Sequence, residues 1–476
     1  MKKQLKTKQI VKNSFDWLIP IIFLISLINS LRAAFSQYYL IGYADDIALT
    51  LWGKVHGISI SILIDQTGTG YRPIRNLMFA IGYTLWGSNT FMYYLLNGIL
   101  FAGAMIFLYL IVKMFSNKFG GVCAVLLYIF LDASFILVWK INFVVTLSEL
   151  FFMMASLYYS FRFYESHNRN HLLLSFVIGI LAFMSKEPSI IIIPIVNLLY
   201  LISKSEHVNK PHRNIIIGFY ILIPFIFLVI MLVKAPEVGG HPTIDMFKEK
   251  LFFYIDQEAT WQLKNIYLFG FVLLFSLIKI KDVRYQIGLI WVAIGITLNS
   301  LSTQIVQPTY LAEANLGFVF LFGIIISSIR AEHKLVQIIF AAIIILQLVA
   351  IPQEIANTNN YQENAASSQT VVKEIVVYLK SNMKENATIF YIPSDVRSKY
   401  GEQIDAIYFQ DLLCLENRCD INVKLLSNNT NNGYIVLISN LDVYVFVNEY
   451  KEIISRKISS QKEFKIGQNV GYVLQI

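Results

Sequence analysis

The sequence predicts a polytopic α-helical membrane protein with about eleven transmembrane helices, followed by a small extracytoplasmic α/β domain. Of the 476 residues, 56% are hydrophobic and only 15% are charged, and the mean hydropathy is +0.57. Soluble globular domains carry a larger charged fraction. After residue 351 the composition becomes polar, and helix-like and strand-like segments alternate as they do in small α/β domains. We therefore divide the chain into a membrane part, 1–351, and a C-terminal part, 352–476.

A bilayer-spanning helix needs about 20 apolar residues, and fewer where it is buried in a bundle. The chain offers a series of such runs separated by short polar loops. They lie at about 18–31, 91–112, 119–138, 143–161, 171–184, 189–203, 214–234, 265–279, 285–300, 314–329 and 335–351.

Basic residues fall in every second loop, on the side of the lysine-rich amino terminus. Because cytoplasmic loops retain Lys and Arg, the amino terminus is predicted to lie in the cytoplasm. The segments predicted to face outward are then 36–90, the 186–187 corner, 235–264, 301–313 and the C-terminal part. The same loops explain the net charge of +8. Nucleic acid is therefore not an expected partner, whereas membrane lipids are.

An acidic pair, Asp45 and Asp46, lies just beyond the first apolar run. Ionisable groups near a membrane are costly, so they usually line a cavity or a reaction site. One alternative is that one of the two caps a helix that begins near Ile47, as Asp often does. Farther along the same outward segment, apolar residues at helical spacing in 72–86 predict a helix in the interface plane, or alternatively a short transmembrane helix.

Five short motifs give the chain its family resemblance. They follow one another in a fixed order on segments predicted to lie at the outward surface. They are Tyr43-Ala44-Asp45-Asp46, Tyr71-Arg72-Pro73-Ile74, Trp86-Gly87-Ser88-Asn89, Tyr94-Leu95-Leu96-Asn97 and Ser185-Lys186-Glu187-Pro188. In this set the chain resembles the GT-C superfamily of membrane glycosyltransferases. It is most similar to the protein O-mannosyltransferase type and its bacterial and tetratricopeptide-bearing relatives.

The chain departs from these relatives at three points. Many of them have Asp-Glu in place of Asp45-Asp46, and His-x-x-Asn in place of Tyr94-x-x-Asn97. Several carry a later Arg-Tyr, where this chain has Gln307-Pro308-Thr309-Tyr310. These departures leave the sugar and the acceptor open.

The resemblance implies transfer of a hexose or related sugar from a polyprenyl-phosphate carrier to a protein, lipid or glycan acceptor outside the cytoplasm. Asp45 matches the catalytic acidic position of the family. A carboxylate in a partly dehydrated site can take the proton of the acceptor, so Asp45 is the expected general base. Asp46 is expected to assist it, by holding a divalent metal such as Mg²⁺ or Mn²⁺, by binding the acceptor or by raising the proton affinity of Asp45.

The leaving phosphate requires cations. The candidates for binding the carrier phosphate or the substrate are Lys186, Glu187, Arg72 and Arg75. Lys186, beside Glu187 at an outward helix junction, can serve as a point charge for phosphate. It can equally anchor the interface or pair with Glu187. Arg72 and Arg75 can contact phosphate or acceptor, although interfacial arginines also bind lipid headgroups.

In the C-terminal part, the sequence predicts a helix at 371–383 and strands near 388–392, 421–426, 434–439 and 471–475. Helices are also expected at 404–413 and 445–458. Cys414 and Cys419 lie five positions apart, and an oxidising exterior would permit a disulfide between them.

Two other function classes compete with glycosyl transfer. A helical bundle of this size could be a transporter or flippase of lipid-linked sugars, or an inactive relative that scaffolds cell-envelope polymer assembly. Transporter sites usually lie at the bilayer midplane on interrupted helices, whereas the acidic and basic candidates here gather at the outward surface. A glycosyltransferase of the bacterial plasma membrane is therefore the favoured interpretation.

Overall fold

A computed structural model provides the coordinates. It describes residues 16–36, 44–60, 62, 71–131, 134, 137–138, 141–204, 206, 208–234, 244–256, 266–301, 311–328, 374–382, 388–392, 413–414, 422–425, 434–439, 460–466 and 469–475.

The membrane part is helical throughout its described residues. The helices are α1 (Leu18–Ser36), α2 (Ala44–His56), α3 (Pro73–Trp86), α4 (Thr90–Phe115), α5 (Lys118–Ile129), α6 (Val144–Ser166), α7 (Arg169–Phe183), α8 (Pro188–Ser203), α9 (Lys210–Lys234), α10 (Ile244–Asp256), α11 (Ile266–Ile278), α12 (Val283–Ser300) and α13 (Ala312–Ser328). A single 3₁₀ turn, Ile141–Phe143, leads directly into α6.

Three of the described helical stretches are long and apolar enough to cross a membrane: 90–115, 141–166 and 210–231. Shorter apolar helices accompany them at 18–31, 118–129, 169–183, 188–203, 267–278 and 312–328. Ten of the predicted spans thus coincide with helices, although several helices extend beyond the predicted limits. The eleventh, 335–351, lies outside the described residues.

The bundle contains helices of two kinds. Every described side chain of α13 from Ala312 to Ile326 is buried, and α13 packs against α5, α12 and α4. In the apolar part of α9, by contrast, only 17% of residues are buried, and Ile221, Leu222 and Phe225 are exposed. A helix that is apolar on its exposed face is suited to contact lipid.

Two segments predicted as outward loops contain helix. Within 36–90 the structure has α3, which lies where a helix is predicted at 72–86, and α2, which begins at Ala44 and contains the acidic pair. The predicted loop 301–313 overlaps α13, which begins at Ala312. Glu313 in the first turn of this helix is buried and pairs with Lys186.

The C-terminal part contains a five-stranded mixed sheet of order β2-β1-β3-β5-β4. Its strands are β1 (Thr388–Ile392), β2 (Asn422–Leu425), β3 (Tyr434–Ser439), β4 (Ser460–Ile466) and β5 (Asn469–Gln475). Strand β1 pairs in parallel with β2 and β3, whereas β5 pairs antiparallel with β3 and β4.

Four of these strands lie where the sequence predicts them, and residues 374–382 form the predicted first helix. Strand β4 was missed, although Gly467 and Gln468 between two β-rich runs are a hairpin signal. The helices predicted at 404–413 and 445–458 lie almost wholly outside the described residues. Cys414 is disulfide-bonded, and Cys123 is a free thiol. The predicted partner, Cys419, lies outside the described residues.

Candidate functional site

The acidic pair occupies the first turn of α2. Of Asp45 the structure describes the backbone, which is helical. The Asp46 side chain is fully buried. Its Oδ2 accepts the backbone N–H of Ile141 at 3.1 Å, and its Oδ1 accepts that of Asn142 at 2.7 Å. Asp46 therefore joins the start of α2 to the turn before α6.

This contact follows from the chemistry of helix ends. The first N–H groups of a helix have no partner within it, and they carry a partial positive charge that favours an anion. Ile141 and Asn142 open the helical stretch that continues as α6. The sequence had suggested that one of the pair caps the helix beginning near Ile47. Asp46 instead caps the helical stretch that continues as α6.

Further contacts hold α2 in place. Within α2 itself, the Thr50 hydroxyl donates to the Asp46 carbonyl at 2.7 Å. Outside it, the buried Tyr94 near the start of α4 interacts electrostatically with Asp46. Helix α2 also packs closely on α3, where a Cβ at Gly53 would lie 2.6 Å from the Phe79 carbonyl oxygen. The backbone of α2 can approach α3 this closely only because residue 53 is glycine.

The motif at 71–74 meets the motif at 185–188. The Ile74 N–H donates to the Met184 carbonyl at 3.1 Å. The Arg72 Nε and Nη2 donate to the two carboxylate oxygens of Glu187, each at 3.0 Å. A bidentate pair of this kind fixes the orientation of both side chains. The start of α3 is thereby fastened to the junction between α7 and α8.

Lys186, adjacent to Glu187, points into the protein and not outward. Its ammonium donates to Glu313 Oε1 of α13 at 2.7 Å and lies 3.9 Å from Glu149 Oε2 of α6. Glu149 Oε1 in turn accepts the Ser189 N–H at 2.8 Å, which caps the start of α8. Lys186, Glu149 and Glu313, called the buried charge cluster below, join α6, α8 and α13.

Both charged residues of the α7–α8 junction lie outside the membrane-spanning helices. Burial alone would lower the pKa of Lys186, but the Glu313 and Glu149 carboxylates raise it above the usual lysine value. Burial would raise the pKa of Glu187, but the Arg72 guanidinium holds it below the usual glutamate value. Both side chains are therefore charged at neutral pH.

The candidate cations differ in exposure. Arg72 is 17% exposed, whereas Lys186 is 7% and Arg75 only 5% exposed. Arg75 Nε lies 3.5 Å from Asn76 Oδ1, at the limit of a hydrogen bond. Of these three cations, Arg72 is thus the one that a ligand at the surface can reach most readily.

The metal expected at Asp46 stays a prediction. In the part of the chain that the structure describes, His, Cys, Asp and Glu do not gather in groups of three or more that could hold a metal ion. Each carboxylate oxygen of Asp46 already accepts one backbone N–H group. A metal at Asp46 would have to use the remaining lone pairs of its oxygens.

Glu149 and Glu313 were not among the residues predicted for the site. Glu149 lies inside the predicted span 143–161, and an acid within an otherwise apolar span seldom occurs without a partner or a function. That signal could have singled it out. For Glu313, predicted to lie in a loop, the sequence offers no comparable signal.

One family of known proteins matches part of the chain. The sequence model of the dolichyl-phosphate-mannose-protein mannosyltransferase family matches residues 72–230, which include Arg72, Glu149 and Lys186. No curated protein sequence matches the chain at a significant level.

Two solved structures of ArnT from Cupriavidus metallidurans have the same fold. The structure bound to undecaprenyl phosphate matches with a TM-score of 0.52 at 10% identity, covering 96% of this chain and 98% of that one. The apo structure matches with a TM-score of 0.53 at 9% identity, covering 96% and 97%. Together with the order of the motifs, these matches confirm the resemblance to the GT-C superfamily of membrane glycosyltransferases, whose fold this chain has.

Proposed function

We propose that the protein is an integral membrane glycosyltransferase that moves a sugar from a polyprenyl-phosphate carrier to an acceptor on the non-cytoplasmic face. The observation that carries this proposal is the acidic pair in the first turn of α2, held against α3 and the start of α6. The family match to mannosyltransferases and the fold shared with a protein that binds undecaprenyl phosphate support it.

In the proposed reaction, Asp45 is the general base. An acceptor hydroxyl attacks C1 of the sugar, and its proton passes to the Asp45 carboxylate. The bond between C1 and the phosphate oxygen breaks, and the carrier phosphate leaves with the electron pair. Asp45 then releases the proton to solvent, so the enzyme returns to its starting state.

Asp46 acts in this scheme as a positioning residue. Its carboxylate binds two backbone N–H groups of the turn before α6, so it holds the first turn of α2 in one orientation. Consecutive residues of a helix point about 100° apart. Asp46 thereby fixes the backbone of the turn in which Asp45 is the preceding residue.

Arg72 is the cation that we assign to the leaving phosphate. It is the most exposed of the candidate cations, and Glu187 fixes the plane of its guanidinium. A planar guanidinium held in this way suits bidentate recognition of phosphate oxygens. Lys186 stabilises the same junction from the protein interior, because its ammonium donates to the Glu313 carboxylate.

The test is sugar transfer by purified protein in lipid nanodiscs. A panel of radiolabelled polyprenyl-phosphate hexoses serves as donor, and a membrane extract from cells that lack the gene serves as the acceptor pool. The wild type should move label from the lipid to the acceptor fraction. In Asp45→Asn, removal of the base should slow this transfer about 10²–10⁴-fold.

Asp282→Asn is the matched control. Asp282 caps α12 through a side-chain bond to the Arg284 N–H, and Asn can make the same cap. This variant should transfer sugar at the wild-type rate. Undiminished transfer by Asp45→Asn would refute the assignment of the base. Translocation of the labelled carrier across the bilayer without transfer would instead favour a flippase.

A further inference from the structure

The buried charge cluster is unbalanced. One ammonium, that of Lys186, faces two carboxylates, Glu149 and Glu313, and both acids are fully buried. An uncompensated charge in a protein interior costs several kcal/mol, so such a group usually finds a partner or takes up a proton. With all three groups ionised, the cluster would carry one excess negative charge.

The unbalanced charge is accompanied by unpaired atoms. Glu149 Oε1 and Glu313 Oε1 have hydrogen-bond donors, the Ser189 N–H and the Lys186 ammonium. Glu149 Oε2 and Glu313 Oε2 have no hydrogen-bond donor among the described residues. Lys186 Nζ brings the two carboxyl groups together, since it lies 2.7 Å from Glu313 Oε1 and 3.9 Å from Glu149 Oε2. A proton on either acid would supply the missing donor.

Among the described residues, the charged neighbours of the cluster do not restore its balance. Glu187 of the α7–α8 junction and Arg72 at the start of α3 also act on the cluster, but these two pair with each other. Their charges therefore cancel. The segment 302–310, which precedes α13 in sequence, contains no Asp, Glu, Lys, Arg or His.

We propose that Glu149 and Glu313 form a buried proton-binding site, in which the two carboxyl groups share one proton and the cluster with Lys186 is neutral. The proton comes from solvent as the protein folds, and the protonated carboxyl donates its O–H to the other. Like charges repel, so two carboxylates that face one ammonium are stabilised when one proton is shared between them. This inference does not depend on the proposed sugar transfer.

The shared proton has a structural consequence. Glu149 caps α8, and Lys186 adjoins the Glu187 that holds Arg72. Removal of the proton would place two anions beside one ammonium and loosen the contacts among α6, α8 and α13. The packing of this junction therefore depends on pH. The free energy of unfolding should fall as the pH rises far enough to remove the proton.

Infrared spectroscopy of the protein in nanodiscs tests the proposal, because a protonated carboxyl absorbs apart from an ionised one. At neutral pH the wild type should show a carboxylic-acid band that shifts in heavy water. Glu149→Gln and Glu313→Gln should each abolish it, because the remaining acid then ionises against Lys186. Glu165→Gln is the control: Glu165 lies in the same helix as Glu149 but is 44% exposed and pairs with Arg162, so the band should remain.

A second measurement stands even if one variant fails to fold. The thermal midpoint of the wild type should drop as the pH is raised, and a folded single-Gln variant should lack that drop. The absence of the acid band from the wild type would overturn the proposal. So would its persistence in both variants, or a rise in wild-type stability with Na⁺, K⁺ or Mg²⁺ that either variant abolishes, since a metal cation would then take the place of the proton.

Discussion

Two ion pairs at one helix junction satisfy their charges in different ways. Glu187 faces Arg72 in a one-to-one bidentate pair, with 32% and 17% of the two side chains exposed. Lys186, the preceding residue, faces two fully buried acids. The exposed pair is balanced in charge and uses both carboxylate oxygens, whereas the buried charge cluster leaves two oxygens unpaired.

The contrast shows that adjacent residues can have opposite roles. Ion pairs near solvent contribute little to stability, because water screens the charges and competes for their hydrogen bonds. Buried charges are costly to leave unpaired, so removal of one partner has a large effect. Glu187 therefore fixes the orientation of Arg72, whereas Lys186 links α6 and α13 to the start of α8.

The largest effect is expected from Lys186→Met, which removes the only cation of the buried charge cluster. The substitution leaves the buried acids without their cation, which should lower the free energy of unfolding by about 3–5 kcal/mol. Thermal unfolding in nanodiscs measures the loss. The triple variant Lys186→Met, Glu149→Gln, Glu313→Gln has no charge left in the cluster and should regain most of it. A stability of Lys186→Met equal to that of the wild type would contradict the role assigned to the cluster.

A smaller effect is expected from Asp46→Ala, which tests a buried acid that neutral donors satisfy. The Ile141 N–H is buried and would lose its acceptor, at a cost of about 1–3 kcal/mol. The Asn142 N–H is partly exposed and can turn to water. Sugar transfer should fall as well, because the first turn of α2, which contains Asp45, loses its contact with the turn before α6.

Asp46→Asn is the matched control, since its amide oxygen can still accept one of the two N–H groups. It should lose less stability than Asp46→Ala in the same unfolding measurement. Equal losses in the two variants would show that packing, and not the two hydrogen bonds, is what Asp46 supplies.

The smallest effect concerns the exposed pair and its pH dependence. Arg72 lowers the pKa of Glu187, so the folded state binds its proton less readily than the unfolded chain does. The pair therefore stabilises the protein above about pH 4.3, the ordinary glutamate value, and this contribution disappears as the pH falls through the lowered one. Because a third of Glu187 is exposed, the contribution should be about 1 kcal/mol or less.

The measurement is the difference in thermal midpoint between wild type and Glu187→Gln as the pH is lowered. The difference should shrink toward zero in acid. Titration of the other carboxyl groups cancels in this comparison, because both proteins contain them. A difference that stays constant with pH would show that Glu187 acts through packing and not through its charge.

Much of this architecture was readable from the chain. Hydropathy and the loop charges located ten helices, because each apolar run must bury itself in lipid or protein. The order of the motifs pointed to the GT-C superfamily, and four strands of the C-terminal sheet were identified from their β-rich runs. Strand β4 was missed because its residues, Ser460–Ile466, alternate less clearly and include Lys462, Glu463 and Lys465.

The sequence by itself determined the helical membrane class, the position of the acidic pair beyond the first span and the candidate cations at two motifs. Only the tertiary structure decided which charges meet. Glu149 and Glu313 lie 164 positions apart, on α6 and α13, and neither is near Lys186 in the chain. A helical period gives the face on which a residue lies, but not the face of another helix that packs against it. Hence the direction of Asp46 into the turn before α6, and of Lys186 into the interior, could be learned only from the packed bundle.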